Sequence, residues 1–206
     1  AGGAPVGANV AASTSAIYGD VDADLHEDFG PLIPISFYGA AKLASEGYAT
    51  AFAHRCDIRT WSFRFPNVIG PRATHGVIYD FIGKLRCTPD RLDVLGDGTQ
   101  EKPYLYVHDL IDAMMLVWKR AESAQYSVHN ISAQTFTTVR TIAEIVVELT
   151  EPEADIVYGS EPIGWPGDVP KFRYDTSKIE GLGWMPTRTS DQAVRDTVQA
   201  LLDAGF

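Results

Sequence analysis

The chain has 206 residues, 17 basic against 27 acidic side chains and a formal net charge of −10. Hydrophobic residues make up 45% and charged residues 21%, enough for one large or two small globular domains. The acidic balance argues against nucleic acid or an anionic membrane as main partner, since both need clustered Lys and Arg, and no apolar run approaches the roughly 20 residues of a membrane span.

In chain order, Asn9 to Ser13 reads as a short buried strand running into the polar end Thr14-Ser15. A loop rich in Gly, Pro and Asp follows from Gly19 to Pro34. Ser36 is the expected cap of a Pro-free, Ala-rich helix from Phe37 to Arg55. Arg59 to Phe65 is β-branched and aromatic and stops at Pro66, completing a strand, helix, strand pattern that points to a parallel α/β sheet. A second helix is expected from Val77 to Arg86, with Ile78, Phe81, Ile82 and Leu85 at helical spacing. Short strands at Leu92–Leu95 and Tyr104–Val107 flank the turn Gly96-Asp97-Gly98-Thr99. Asp109 is read as the cap of a helix to Arg120, Ser127–Ile131 as a strand, Thr138 as the cap of Val139–Leu149, and Ser190 as the cap of a last helix ending near Ala204. Gly159 to Pro170 is read as a surface loop.

The start Ala1-Gly2-Gly3-Ala4-Pro5 lacks the basic region and apolar core of a signal peptide. It also lacks an initiator Met, which suggests a processed chain or one beginning inside a longer protein. Cys56 and Cys87 form no CxxC pair and are expected to be reduced, mostly buried thiols of a cytoplasmic protein. The five histidines show no HxxxH or HExxH spacing, so no metal site is expected.

The sharpest chemical feature is Tyr38-Gly39-Ala40-Ala41-Lys42. On a helix, positions i and i+4 share a face, so the Lys42 ammonium lies near the Tyr38 phenol. A free phenol titrates near pH 10, and a neighbouring cation stabilises the phenolate, making an acid/base usable near neutrality. Spacing alone does not single it out, because Tyr174-Asp175-Thr176-Ser177-Lys178 repeats it. Context favours Tyr38. The strand ending at Ser13-Thr14-Ser15 puts hydroxyls where open α/β sheets bind ligands, whereas Tyr174 has no strand-end hydroxyl in view.

Ser13-Thr14-Ser15-Ala16-Ile17-Tyr18-Gly19, then Tyr38 to Lys42, then Arg64-Phe65-Pro66-Asn67-Val68-Ile69-Gly70-Pro71-Arg72 together resemble the extended short-chain dehydrogenase/reductase family. The similarity is greatest to its NAD-dependent nucleotide-sugar epimerases and dehydratases, on the UDP-glucose 4-epimerase-like branch. Gly96 to Gln100, Tyr106 to Leu110, Gly167-Asp168 and Gly181 to Pro186 resemble later signatures of that family in the same order.

The resemblance implies a catalytic group of Thr14, Tyr38 and Lys42 and a cofactor, NAD, contacted by Ser13, Tyr38, Lys42, Phe65 and Pro66. It implies a nucleotide-sugar substrate, a UDP-sugar, contacted by Thr14, Asn67, Val77, Lys102 and Asp168. The implied reaction removes the sugar hydroxyl proton through Tyr38, transfers hydride to NAD and returns it to the other face of the sugar. Homodimerisation through sheet-flanking helices, including the one bearing Tyr38, is a further expectation from the resemblance.

Three departures stand out. Lys102 occupies a position where the family usually has Arg, replacing a bidentate fork by a point charge. Trp165 stands where many relatives carry a second phosphate-binding Arg, read either as a packed loop aromatic or as a different substrate anchor. Ser15 and Ala16 stand where sugar 4,6-dehydratases carry Asp and Glu, which disfavours the dehydratase reading.

The family's opening strand, Gly-x-x-Gly-x-x-Gly turn and helix, which cradle the NAD pyrophosphate, do not occur in these 206 residues. The expected fold class is therefore α/β, a partial Rossmann-type parallel sheet with a smaller α/β substrate-binding domain. Residues 1–72 are assigned to the carboxyl-terminal part of the NAD-binding domain and residues 73–206 mainly to the substrate domain. A non-catalytic nucleotide-sugar-binding module, or a reductase or dehydrogenase with the same catalytic group, are the alternative functions.

Overall fold

Strand β1 (Ala8–Thr14) begins the structure, a computed structural model that describes residues 7–120, 124–161 and 173–206. It is followed by a 3-10 turn (Ser15–Ile17), β2 (Asp24–Leu25), α1 (Phe37–Cys56), β3 (Arg59–Phe65), β4 (Asn67–Ile69) and α2 (Val77–Cys87). Next come β5 (Arg91–Val94), β6 (Glu101–Lys102), β7 (Tyr104–Tyr106), α3 (Val107–Arg120), β8 (Tyr126–Asn130) and β9 (Thr137–Thr138). The chain ends with α4 (Val139–Leu149), β10 (Asp155–Tyr158), β11 (Arg173–Tyr174), α5 (Ser177–Glu180) and α6 (Ser190–Asp203). The described residues divide into two compact units, one drawn from Ala1–Pro66, Ile111–Ser132 and Phe172–Met185, the other from Asn67–Leu110, Ala133–Lys171 and Pro186–Phe206.

The first unit is organised by a parallel sheet in the order β1-β3-β8, with Thr14 beside Phe65 and Arg64 beside Asn130. Parallel neighbours need a crossover, and α1 supplies it between β1 and β3. The Ser36 hydroxyl caps α1 by accepting from Gly39 N at 3.0 Å, as the sequence predicts. Strand β3 is buried from Thr60 to Arg64, as a central strand covered on both faces must be. The sequence reading of β1 as buried is corrected: Ala8 to Val10 are exposed, because among the described residues β1 pairs only with β3. A short parallel pair, β2 with β11, closes over Ile17, Tyr18 and Leu25.

In the second unit α2, α4 and α6 pack around the parallel pair β5–β10. The stripe Ile78, Phe81, Ile82 and Leu85 faces that core, matching its helical spacing. Two further small pairs form, β4 with β7 in parallel and β6 with β9 antiparallel.

Three local expectations are corrected. Helix α3 begins at Val107, directly after β7, so Asp109 lies inside its first turn; its buried carboxylate accepts from Thr187 Oγ1 at 2.6 Å. Thr189, not Ser190, caps α6 in a reciprocal capping box with Gln192. The Ser190 hydroxyl is drawn inward, donating to the Thr135 carbonyl at 2.6 Å and accepting from Tyr104 N at 2.9 Å. Cys56 and Cys87 are free but exposed, each the last residue of its helix, where the side chain has left the packed face. Among the described residues no helix is long and apolar enough to cross a membrane.

Candidate active site

In the first unit the carboxyl ends of β1 and β3 gather the residues that the motifs single out. The Thr14 side chain is nearly buried, and its oxygen accepts from Ala16 N at 3.3 Å, capping the 3-10 turn. That bond uses the oxygen as acceptor and leaves the hydroxyl hydrogen to donate elsewhere. The register sets Thr14 beside Phe65, and Pro66 follows. Ser13 is buried, and among the described residues its hydroxyl has no hydrogen-bond partner. Such an orphan is costly unless something satisfies it.

Tyr38 and Lys42 come from the first turns of α1. The Lys42 ammonium reaches back to the Ala12 carbonyl oxygen at 3.1 Å and lies 5.8 Å from the Tyr38 ring centroid. Tyr38 is 57% exposed, accessible to a ligand. Gly39 allows the close approach of this helix start to the turn after β1. A Cβ at that position would overlap the Ala16 carbonyl oxygen and lie 3.0 Å from Pro34 Cβ.

The second Tyr-x-x-x-Lys set is built differently. The Tyr174 hydroxyl is buried, and burial holds its pKa well above the ordinary tyrosine range. Lys178 turns away to the Val128 carbonyl oxygen, at 2.6 Å. Tyr18 is likewise raised by burial, with the Arg64 charge opposing.

These buried phenols make a pH prediction. Below about pH 10 both folded and unfolded tyrosines are protonated. Above it the unfolded phenols ionise first, so stability falls by about 1.4 kcal/mol per pH unit for each buried phenol. Tyr174→Phe removes one of them. Its urea midpoint is expected to decline less steeply than wild type through the alkaline range, and parallel declines would refute the assignment.

In the second unit, Asn67 opens β4, exposed, and faces Tyr104 across the parallel pair, two positions beyond Lys102. Lys102 is half-buried in β6 opposite Thr137. Val77 opens α2 behind Gly76, which sits at φ +97° and offers no side-chain cap, leaving first-turn N–H groups of the kind that suit an anion. Asp168 and Trp165 lie outside the described residues.

Sequence reasoning missed Glu46 and the buried role of Arg64. A lone Arg in the otherwise apolar run Trp61-Ser62-Phe63-Arg64-Phe65, and a Glu one turn beyond Lys42, were the available signals.

The sequence profile of the NAD dependent epimerase/dehydratase family matches residues 4–132. The chain is 30% identical over 209 residues to the dTDP-glucose 4,6-dehydratase of Neisseria meningitidis serogroup B, covering 93% of this chain and 57% of that enzyme. Among solved structures it superposes on a UDP-galactose 4-epimerase with a TM-score of 0.85 and 37% identity, covering 96% of this chain and 63% of the other. It also superposes on MoeE5, solved with UDP-glucuronic acid and NAD, with a TM-score of 0.81 and 29% identity, covering 97% and 66%. The chain thus spans less than two thirds of the length of each of these relatives. The parallel α/β sheet agrees with the Rossmann-like fold of the solved neighbours, and the family uses NAD. The match covers more than half of the sequence, and the chain belongs to the NAD-dependent epimerase/dehydratase family.

Proposed function

We propose that this chain carries the reacting side chains of an NAD-dependent 4-epimerase acting on a UDP-sugar. The observation that carries the reading is the convergence of Thr14, Tyr38 and Lys42 at the carboxyl end of β1, with Gly39 seating the helix start against Ala16.

The Thr14 hydroxyl orients the sugar hydroxyl by donating to its oxygen. Tyr38 accepts the proton of that hydroxyl and later gives it back. Lys42, its ammonium 5.8 Å from the Tyr38 ring centroid, supplies positive charge near the phenol where negative charge develops. The Ser13 hydroxyl, unpaired among the described residues, fits the nicotinamide–ribose end of NAD, with Lys42, Phe65 and Pro66 as its further proposed contacts. Hydride acceptance from the sugar carbon, and its return to the opposite face, is the chemistry that bound NAD supplies. Asn67, the backbone at Val77, Lys102 and Asp168 are the proposed contacts for the nucleotide diphosphate, with Lys102 acting as a point charge.

The relatives include both epimerases and dehydratases. The epimerase reading is preferred because Ser15 and Ala16 supply no carboxylate where a dehydratase needs an acid/base pair. Product analysis is the test. With NAD and a UDP-hexose, the native protein at its natural length is expected to interconvert C4 epimers with no net reduced cofactor. A 4-keto-6-deoxy product would make it a dehydratase, and stoichiometric reduced cofactor a dehydrogenase.

The same reading extends to assembly as a homodimer through α1. Phe37, Tyr48 and Phe52 are 97%, 70% and 57% exposed and fall within about 60° on the helix, forming an apolar stripe of the kind that marks an interface. Phe52→Asp is expected to convert a dimer to a monomer in sedimentation; a wild-type monomer would refute it. The two exposed free thiols fit a reducing compartment such as the cytoplasm.

A further inference from the structure

Arg64 lies on the central strand β3 and is buried together with Glu46 of α1, their side chains 5% and 6% exposed. Its Nε donates to Glu46 Oε1 at 3.0 Å and Nη2 to Oε2 at 2.8 Å, a bidentate pair. Nη1 donates to the Tyr18 hydroxyl at 2.9 Å and to the Glu27 carbonyl oxygen at 3.0 Å. The Tyr18 hydroxyl donates in turn to Asn130 Oδ1 at 2.9 Å, and Asn130 Nδ2 to the Leu25 carbonyl oxygen at 2.7 Å. One polar network therefore joins α1, β3, β8 and the segment between Tyr18 and Glu27.

What makes this network unusual is the helix it holds. Apolar residues occur all round α1, and its aromatic ones face outward, while Leu43 packs partly buried against Ile17, Tyr18 and Leu25. Phe37, Tyr48 and Phe52 are exposed, whereas the buried residues are Gly39, Glu46, Ala49 and Ala53. Burial of apolar area alone would favour turning the aromatic residues inward. A shift of one residue in the helix face is a rotation of about 100°, enough to carry Tyr38 and Lys42 away from β1. Glu46 is one turn beyond Lys42 on the same helix, so fixing Glu46 fixes Lys42. Buried ion pairs add little net stability compared with apolar replacements, and their best-attested role is to specify register.

We propose that Arg64 is the positioning residue of the Tyr38–Lys42 pair, setting the rotation of α1 through Glu46 and fastening the segment after the Thr14 turn through Tyr18 and the Glu27 carbonyl. This rests on Tyr38 and Lys42 being the reacting pair.

The test is the charge-free double variant Arg64→Met/Glu46→Leu, because either single change strands a buried partner. Thermal melting and circular dichroism report its fold. Fluorine NMR of 3-fluorotyrosine-labelled protein, with the Tyr38 resonance assigned through Tyr38→Phe, reports the pair's orientation. Melting close to wild type is expected, together with a shifted or split Tyr38 resonance and kcat lower by about 10- to 100-fold at a nearly unchanged KM for the nucleotide sugar. An unmoved Tyr38 resonance in the folded double variant overturns the inference. If wild-type protein turns over no nucleotide sugar, the proposed activity fails by itself, and the fluorine resonance still decides the positioning role. If the double variant does not fold, the same resonance is read in Arg64→Lys. That variant keeps the buried charge but has no fork to hold Glu46 and Tyr18 together, and the same shift or its absence decides.

Discussion

Tyr38→Phe is expected to lower turnover in the proposed epimerase reaction by about 10²- to 10⁴-fold, the usual range for loss of a general acid/base. Only one oxygen is removed, and the residue is 57% exposed, so the melting temperature is expected to stay at the wild-type value. That combination separates a chemical role from a structural one. Chromatographic separation of the sugar epimers over time measures it, and a variant that keeps wild-type turnover would end the assignment of Tyr38 as the proton carrier. Tyr174→Phe is the natural control. Its hydroxyl is buried, so its loss should register in stability and leave the chemical step alone.

Gly39→Ala carries the second large effect. The added methyl group would meet the Ala16 carbonyl oxygen, which belongs to the backbone of the turn after β1 and cannot swing aside as a side chain could. Either the helix start lifts away from β1 or the turn deforms, at a cost of about 1–3 kcal/mol for overpacking. Turnover is expected to fall along with stability, because the displaced segment includes Tyr38. Gly47 sits in the same helix with nothing within 4 Å of a built Cβ. Gly47→Ala is therefore expected to raise stability by about 0.5–1 kcal/mol through helix propensity alone. Denaturant titration of both variants measures the contrast. Equal effects would mean that the close approach at Gly39 does not restrain α1.

Much of the local structure can be read without coordinates. Ser36 and Thr138 cap their helices as their side-chain chemistry dictates. The stripe on α2 faces a core, and Arg59–Phe65 is a strand that stops at Pro66. These follow from periods of two and 3.6 residues and from short-range hydrogen bonds, all contained within a few residues of chain. The order of the serine-rich, Tyr-x-x-x-Lys and Asn-Val-x-Gly-Pro segments also belongs to the sequence, and it carries the family membership.

Other features exist only because distant segments meet. Strands β2, β4, β6, β9 and β11 have two or three residues each and are strands only through their pairing partners, so no periodicity could reveal them. Thr189 replaces Ser190 as the cap because Thr135 and Tyr104, far away in sequence, claim the Ser190 hydroxyl. Two Tyr-x-x-x-Lys sets look alike on paper, and burial separates them, leaving one phenol accessible and enclosing the other. Most telling is α1. Its sequence specifies a helix but not which side faces the sheet, since apolar residues surround it. That choice falls to a guanidinium 18 residues away from the carboxylate it holds. Local propensity decides what a segment becomes, whereas orientation depends on hydrogen bonds and excluded volume between segments that only the folded chain brings together.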